Sequence, residues 1–243
     1  MTRRRWIADD WDRSTASLSG EQAEHLIRVL RARRGMEFDV VAGGGAWRAA
    51  ISSLEDGVVR FTLLAPLETP PALPVALLVS IFKFDRMEWM VEKATELGVG
   101  RIVPMAARRS EKRLVQAAPA RVERWRRIAL EAAKQSRRAD LPIVEDPQPL
   151  ADAIARKRDA GALRLVLSEA ESETTLPGAA QAAQGANATP VEVATGPEGG
   201  WTPEEERLFL SENWTPVSLG PRILRAETAG IASLAVLSVL LQQ

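Results

Sequence analysis

No cysteine occurs in the chain, and histidine occurs once, as His25. The absence of cysteine excludes disulfide bonds, thiolate metal ligands and cysteine nucleophiles, and it suits a reducing compartment. A single histidine argues against a zinc site and against Ser-His-Asp catalysis. We therefore expect no metal site and no nucleophilic triad.

Long apolar runs are also missing. The arginines at positions 3–5 lead directly into Trp6-Ile7-Ala8-Asp9-Asp10, so the positive charges are not followed by the apolar core of a signal peptide. The apolar run at 229–241 is too short for a membrane span, which needs about 20 residues. We therefore expect a soluble, cytoplasmic protein.

The composition is that of an ordinary globular protein, with 46% hydrophobic and 26% charged residues in a chain of 243. This length suits two modest domains or one large one. A formal net charge of zero conceals an asymmetry: residues 101–138 hold twelve Lys/Arg and three Asp/Glu, whereas residues 139–213 hold five and fourteen. The basic stretch could bind phosphate, although solvated arginines on a helix surface would give the same pattern.

Residues 1–69 predict a small, β-rich domain with one short helix. The helix would begin at Ser19, which fits a capping box with Gln22, and would end at Gly35. Prolines at 70, 71 and 74 disfavour regular structure, so we place a domain boundary there. Three strands separated by glycine-containing turns are expected at residues 37–42, 46–54 and 58–64.

Strand and helix patterns alternate after residue 74, which is typical of a parallel sheet with helices on both faces. The apolar run at 75–82 predicts a buried parallel strand. The last helix, 227–241, is apolar nearly all round and must be buried in the core or against a second copy of the chain. Further strands are expected at 101–105, 163–167 and 191–195, helices at 83–97, 119–138, 151–159 and from a capping box at Thr202, and a loose surface loop at 179–189.

Two loops rich in glycine and proline each follow a short apolar run and lead into a helix pattern. The first is Thr195-Gly196-Pro197-Glu198-Gly199-Gly200. The second is Leu219-Gly220-Pro221-Arg222-Ile223-Leu224-Arg225-Ala226-Glu227-Thr228-Ala229. Loops at the carboxyl ends of strands in an open α/β sheet can form a ligand site. The alternative is that these glycines only supply tight turns.

Neither loop has the pattern of a phosphate-binding loop. Such a loop ends in Lys-Ser or Lys-Thr, whereas Gly200 is followed by Trp201, and the carboxylate of Glu198 would repel a phosphate. The dinucleotide pattern G-x-G-x-x-G is also absent. The loops therefore favour a flat ligand that is neutral or cationic.

The two loop sequences resemble the signature of the RsmE-type methyltransferases, SPOUT-class enzymes that methylate N3 of one uridine in 16S ribosomal RNA. The resemblance implies an N-terminal PUA-like β-barrel domain that binds RNA (1–69) and a C-terminal SPOUT α/β domain with a deep trefoil knot (74–243). It also implies S-adenosylmethionine (SAM) as cofactor, 16S rRNA or the small ribosomal subunit as partner, and a homodimer with its active site between the subunits.

The resemblance also assigns site residues. The arginines at 3–5 and 28–34 could form one basic patch, which resembles the RNA-binding domain of the family, and His25 to Arg31 and residues 131–138 each match a family pattern. The RNA-binding candidates from these stretches are Arg4, Arg28, Arg31, Gln135 and Arg138. His25 itself is expected to be structural. The cofactor would lie on three loops and the start of the last helix, at Leu167, Ser168, Glu169, Thr195, Gly196, Pro197, Glu198, Gly199, Gly200, Leu219, Gly220, Arg222, Ile223, Leu224, Thr228 and Ala229.

Methylation at N3 of uridine requires removal of the proton on N3, by a base or with cationic groups that stabilise the uracil anion. The charged residues of the second loop are Arg222, Arg225 and Glu227. We expect Arg225 to orient or polarise the uracil and Glu227 to be the base. The alternative is an Arg-Glu ion pair that only holds the loops.

Two other functions remain open from the sequence. The chain could be a different SPOUT enzyme that methylates a ribose 2′-oxygen or a tRNA. It could also be a non-catalytic, ribosome-associated RNA-binding protein that has kept the fold.

Overall fold

The computed structural model describes residues 5–156, 161–183 and 190–241. The chain divides into two compact units. The first consists of Met1–Pro71 and Ala133–Leu141, and the second of Ala72–Ala132 and Pro142–Gln243.

The described part of the first unit contains a six-stranded sheet in the order β1-β4-β5-β6-β3-β2. Strands β1 and β4 are parallel and the other pairs are antiparallel. The three predicted strands are confirmed as β4 to β6, and the three short strands before them were not predicted. The bounds are β1 Arg5–Ile7, β2 Asp10–Trp11, β3 Thr15–Leu18, β4 Glu37–Ala42, β5 Gly45–Glu55 and β6 Val58–Leu67.

The sheet of the first unit curls around an apolar core. The register between β5 and β6 shifts between Arg48 and Ala49 and again between Ile51 and Ser53. Such irregularities increase the local bend and twist of a strand. The apolar cluster of this unit includes fully buried Trp6, together with Leu18, Leu26, Ile51 and Phe61.

The helix of the first unit is α1, Gly20–Glu24, followed by a π-helical turn at His25–Val29. The predicted capping box is wrong, because both side chains have other partners. The Ser19 hydroxyl donates to the Asp9 carboxylate at 2.9 Å, and the Gln22 amide donates to the Ile7 carbonyl at 3.1 Å. The helical segment also ends near Leu30, short of the predicted Gly35.

Residues 133–141 pack within the first unit, which the sequence did not indicate. Ala139 is buried with Val41 and Ala46. The Arg5 guanidinium donates a hydrogen bond to the Arg137 carbonyl.

The second unit contains a sheet whose described strand pairs are all parallel. The strand order is β10-β8-β7-β12-β11-β13, and β9 also pairs with β8. The chain leaves β7 toward β8 on one side, whereas it leaves the neighbouring strand β12 toward β13 on the other side. Open α/β sheets form crevices at such a point. The bounds are β7 Leu73–Ser80, β8 Val99–Ala106, β9 Ile143–Val144, β10 Gln148–Pro149, β11 Leu163–Leu167, β12 Val191–Thr195 and β13 Thr215–Val217.

Apolar clusters cover both faces of this sheet, as the sequence predicted. Along β7, Leu77 and Val79 contribute to one cluster, whereas Ala76 and Leu78 contribute to the other. Strand β7 is therefore buried on both sides, which suits its continuous apolar run. The helices are α2 Phe84–Glu96, α3 Lys112–Ala117, α4 Val122–Ser136 after a 3₁₀ turn at Ala118–Arg121, α5 Leu150–Ala155, α6 Leu176–Ala183, α7 Pro203–Ser211 and α8 Ala226–Leu241. The last four residues of α4 belong to the first unit.

Two predictions about helices have opposite outcomes. The capping box of α7 is confirmed, because the Thr202 hydroxyl accepts from the Glu205 amide while the Glu205 carboxylate accepts from the Thr202 amide. The loop predicted at 179–189 is wrong at its start, because residues 179–183 continue helix α6, where Leu176 and Ala180 are buried. Residues 184–189 of that prediction lie outside the described residues.

Within the described ranges, no helix is long and apolar enough to cross a membrane.

The contact between β7 and β8 leaves no room for a side chain at Gly100. A Cβ atom there would lie 2.9 Å from the Leu73 carbonyl oxygen and 3.5 Å from that of Val75. Because these atoms belong to the backbone, Gly100→Ala should lower the free energy of unfolding by about 1–3 kcal/mol in urea denaturation.

The control is Gly45→Ala, where the nearest atom to the added carbon is in the Trp47 side chain at 3.4 Å. We expect that control to stay within about 0.5 kcal/mol of the parent protein. Equal effects of the two substitutions would contradict the described contact.

Candidate functional site

Three loops of the second unit follow the carboxyl ends of the adjacent strands β12, β11 and β13 and line one cleft. The cleft has a volume of about 920 Å³. Its walls include residues 167–172, 196–201 and 217–226, together with Lys83 and Arg86 near the start of α2 and Arg109 after β8. The lining includes four glycines, at positions 196, 199, 200 and 220, where no side chain covers the peptide groups.

In the structure the first loop covers residues 196–201, because Thr195 is still the last residue of β12. Trp201 holds the end of this loop in place. The indole nitrogen of Trp201 donates to the Leu167 carbonyl at 2.8 Å, and its ring packs against Phe209 with centroids 4.8 Å apart. A Cβ atom at Gly196 would lie 3.2 Å from the indole, so the tight packing favours glycine there. Trp201 therefore joins the first loop to the end of β11.

The second loop, residues 218–225, turns at Gly220, whose φ is +114°. The Gly220 amide donates to the Ser218 hydroxyl at 3.1 Å. The Ser218 amide donates to the Thr174 carbonyl at 2.8 Å, which connects this loop to the segment after β11. Beyond the turn, Ile223 lines the cleft with 79% of its surface exposed.

Arg86 joins the first loop to the start of α8. Its Nη1 atom lies 2.7 Å from a carboxylate oxygen of Glu198, and its Nε atom lies 3.6 Å from Oε1 of Glu227. The Glu227 side chain is only 7% exposed, and its Oε2 atom has no hydrogen-bond partner in the described part of the chain. Glu227 thus takes part in an Arg-Glu ion pair whose arginine lies on α2, far away in sequence.

Most residues predicted to hold the cofactor line this cleft. The exceptions are Thr195, which is fully buried at the end of β12, and Thr228, which is exposed on α8. Of the two catalytic candidates, Arg225 lines the cleft and Glu227 is buried next to Arg86 outside the lining. The predicted residues in the lining are Leu167, Ser168, Glu169, Gly196, Pro197, Glu198, Gly199, Gly200, Leu219, Gly220, Arg222, Ile223, Leu224 and Ala229.

The RNA-binding candidates belong to the first unit and have different surroundings. Arg28, Arg31 and Gln135 are exposed, and Arg31 adopts a left-handed conformation with φ of +50°. Arg138 is buried and forms an ion pair with Asp140. Arg4 lies outside the described residues.

His25 packs its ring against Trp6, with ring centroids 5.7 Å apart. This contact gives His25 a structural setting, as the sequence suggested.

Sequence reasoning missed three side chains that organise the cleft: Arg86, Arg109 and Trp201. Arg86 appeared only as part of a helix start, Arg109 as part of a basic stretch, and Trp201 only as a residue that excludes a phosphate loop. Their partners lie 34 to 141 positions away in the chain. No local pattern in the sequence signals contacts over such separations.

Comparisons with known proteins agree with this geometry. A family model described as "RNA methyltransferase domain" matches residues 69–238. Among curated relatives, the ribosomal RNA small subunit methyltransferase E of Synechocystis sp. is 34% identical over 94% of this chain and 74% of the relative. The protein of the same name from Bacillus subtilis is 28% identical over 92% of this chain and 90% of the relative.

Solved structures show a similar fold. A ribosomal RNA small subunit methyltransferase E from Neisseria gonorrhoeae, bound to SAM, superposes with a TM-score of 0.81 at 28% identity and covers 98% of both chains. A Legionella pneumophila protein in complex with the cofactor SAM superposes with a TM-score of 0.80 at 28% identity, over 99% of this chain and 98% of that one. The mixed α/β fold with a curled sheet is therefore shared with these proteins.

The ion pairs of Arg86 predict a measurable coupling. Arg86→Met should leave the buried Glu227 carboxylate without its cation and lower the free energy of unfolding by about 1–3 kcal/mol. Adding Glu227→Gln removes the buried charge and should recover part of that loss in a double-mutant cycle measured by denaturation.

The control is Arg113→Met, because the Arg113 side chain is 85% exposed in its ion pair with Glu111. Its effect should be within about 0.5 kcal/mol. Additive effects of Arg86→Met and Glu227→Gln would show that the two side chains do not interact.

Proposed function

Since the chain belongs to the ribosomal RNA small subunit methyltransferase E family, we propose that it methylates N3 of one uridine in 16S rRNA. It is a SAM-dependent ribosomal RNA methyltransferase. The choice of N3 and of a single uridine follows the resemblance of the two loop sequences. The observation that carries the proposal is that the two signature loops line one cleft, together with residues 167–172.

The lining of the cleft suits SAM. Leu219, Ile223 and Leu224 supply apolar surface that could cover a flat adenine ring. The carboxylates of Glu169 and Glu171 could face the cationic sulfur, whereas that of Glu198 is paired with Arg86. When bound, SAM supplies a methyl group attached to a positively charged sulfur. The loops would hold SAM through their peptide groups, with its methyl group in a fixed orientation toward the uracil.

For the acceptor, we propose that Arg225 and Glu227 act on the uracil. Arg225 is exposed and lines the cleft, where its guanidinium could donate to a uracil carbonyl and stabilise negative charge on the ring. Glu227 is buried just outside the cleft lining, so its role as base requires Oε2, which has no partner among the described residues, to reach N3 when the uracil is bound. The competing role for Glu227 is to hold Arg86 in place through their ion pair.

We also propose the finer features that the resemblance implies. The first unit would be a PUA-like β-barrel domain that binds RNA (1–69), and residues 74–243 would form a SPOUT domain with a trefoil knot. In support, spatial order in the second sheet places β12 between β7 and β11. A homodimer is supported by apolar α8, on which Val239 is 64% exposed. The reaction would take place in the cytoplasm, on 16S rRNA or the small subunit.

The experiment incubates the protein with SAM and with either 16S rRNA or small ribosomal subunits from cells that lack this protein. Mass spectrometry of the digested RNA should show one 3-methyluridine per molecule with the better substrate. A 2′-O-methylated nucleoside, or methylation of tRNA alone, would instead indicate another SPOUT enzyme. RNA binding without any SAM binding in calorimetry would favour the non-catalytic alternative.

Replacement of Glu227 tests its role as a base. Glu227→Gln keeps the size of the side chain and removes its ability to accept a proton, so kcat should fall by about 10²- to 10⁴-fold. The affinity for SAM, measured by calorimetry, should change little. The control is Glu204→Gln in the first turn of α7, where the Glu204 side chain is 74% exposed. Turnover of Glu227→Gln near that of the parent would leave Glu227 with only the structural role.

A further inference from the structure

Arg109, just after β8, binds the backbone of the first loop. Its Nη1 atom donates to the Gly199 carbonyl at 2.7 Å and to the Trp201 carbonyl at 2.9 Å. Among the described residues, no carboxylate lies within ion-pair distance of Arg109. The guanidinium charge is therefore directed at two peptide oxygens, and hydrogen bonds from a charged donor are stronger than those between neutral groups.

The aliphatic part of Arg109 also packs against the loop. A Cβ atom at Gly199 would lie 3.3 Å from Cδ of Arg109 and 3.4 Å from its Cβ. A side chain at position 199 would therefore displace Arg109 by a few tenths of an ångström, so this contact favours glycine apart from any contact with a ligand. The stem and the guanidinium together restrict both the position and the orientation of this peptide segment.

The backbone next to Arg109 is itself fixed. The Arg108 amide donates to Oε1 of Glu205 at 2.7 Å, and Oε2 of the same carboxylate accepts from the Thr202 amide at 2.9 Å. Glu205 is buried. The carboxylate that completes the capping box of α7 therefore also anchors the segment from which Arg109 extends.

We propose that Arg109 is a positioning residue that sets the conformation of the first loop for SAM binding. This inference rests on the proposed function. Glycine-rich backbone loses much conformational entropy when it is ordered. Hydrogen bonds that order the loop before the ligand arrives reduce the cost of binding and so raise affinity.

A different role follows from the position of Arg109 in the basic stretch 101–138, where it could contact an RNA phosphate. The two roles have different consequences. A phosphate contact would affect RNA affinity and its dependence on salt. A positioning role would affect the loop in the absence of ligands, and then the affinity for SAM.

The experiment compares Arg109→Met, Arg109→Lys and Arg113→Met in the full chain. Methionine removes the charge and both hydrogen bonds but keeps an unbranched apolar stem, and lysine keeps the charge with fewer donors. Arg113→Met removes the same charge from the same stretch at a side chain that is 85% exposed. The measurements are hydrogen exchange of the amides of 196–202 without ligand, the Kd for SAM, and KM for the RNA substrate.

With Arg109→Met, we expect faster exchange in the first loop, a Kd for SAM raised by about 10- to 100-fold and a nearly unchanged KM for RNA. Arg109→Lys should give a smaller effect in the same direction, and Arg113→Met none on the loop or on SAM. If Arg109→Met fails to fold, the same three measurements on Arg109→Lys test the proposal.

Unchanged loop exchange and SAM affinity would overturn the proposal, and a raised KM for RNA beside them would indicate a phosphate contact instead. Failure of the proposed function is recognised separately, because the parent protein itself would then bind no SAM or would form no 3-methyluridine. Loop exchange in the ligand-free variants would still decide whether Arg109 orders the loop.

Discussion

The cleft depends on three parallel strands, β12, β11 and β13, that end side by side at one edge of the sheet. The loop after β12 holds three glycines and the loop after β13 holds one, at Gly220, whereas the loop after β11 has none. Glycine backbone does not hold a shape by itself. The hydrogen bond from the Trp201 indole to the Leu167 carbonyl connects two of these loops. The hydrogen bond from the Ser218 amide to the Thr174 carbonyl connects the third. The loops therefore act as one surface of peptide groups.

Two arginines from outside the loops complete this surface. Arg86 on α2 contacts Glu198 in the first loop and Glu227 at the start of α8, and Arg109 contacts the carbonyls of the first loop. These contacts order the loops before any ligand is present. For methyl transfer, in which donor and acceptor must be held in line, such fixed geometry is the main contribution that a protein can make.

The sequence predicted the elements with strong local patterns. Strands β4, β11 and β12 have the predicted bounds, because runs of apolar and β-branched residues define them. The Thr202 capping box formed, whereas the one at Ser19 did not. There the Ser19 hydroxyl donates to Asp9 and the Gln22 amide donates to the Ile7 carbonyl, both of which are set by the fold of the first unit. The two signature loops located the cleft. The roles of Arg86 and Arg109 depend on the folding of distant segments, so no local pattern could reveal them.

The most direct measurement is a crystal structure of this protein grown with SAM. We expect the cofactor to lie in the cleft formed by residues 167–172, 196–201 and 217–226, with its adenine covered by apolar side chains of the second loop. Its polar groups should face main-chain atoms of the three loops. SAM bound elsewhere on the chain, or no binding at concentrations that saturate catalysis, would contradict the central claim.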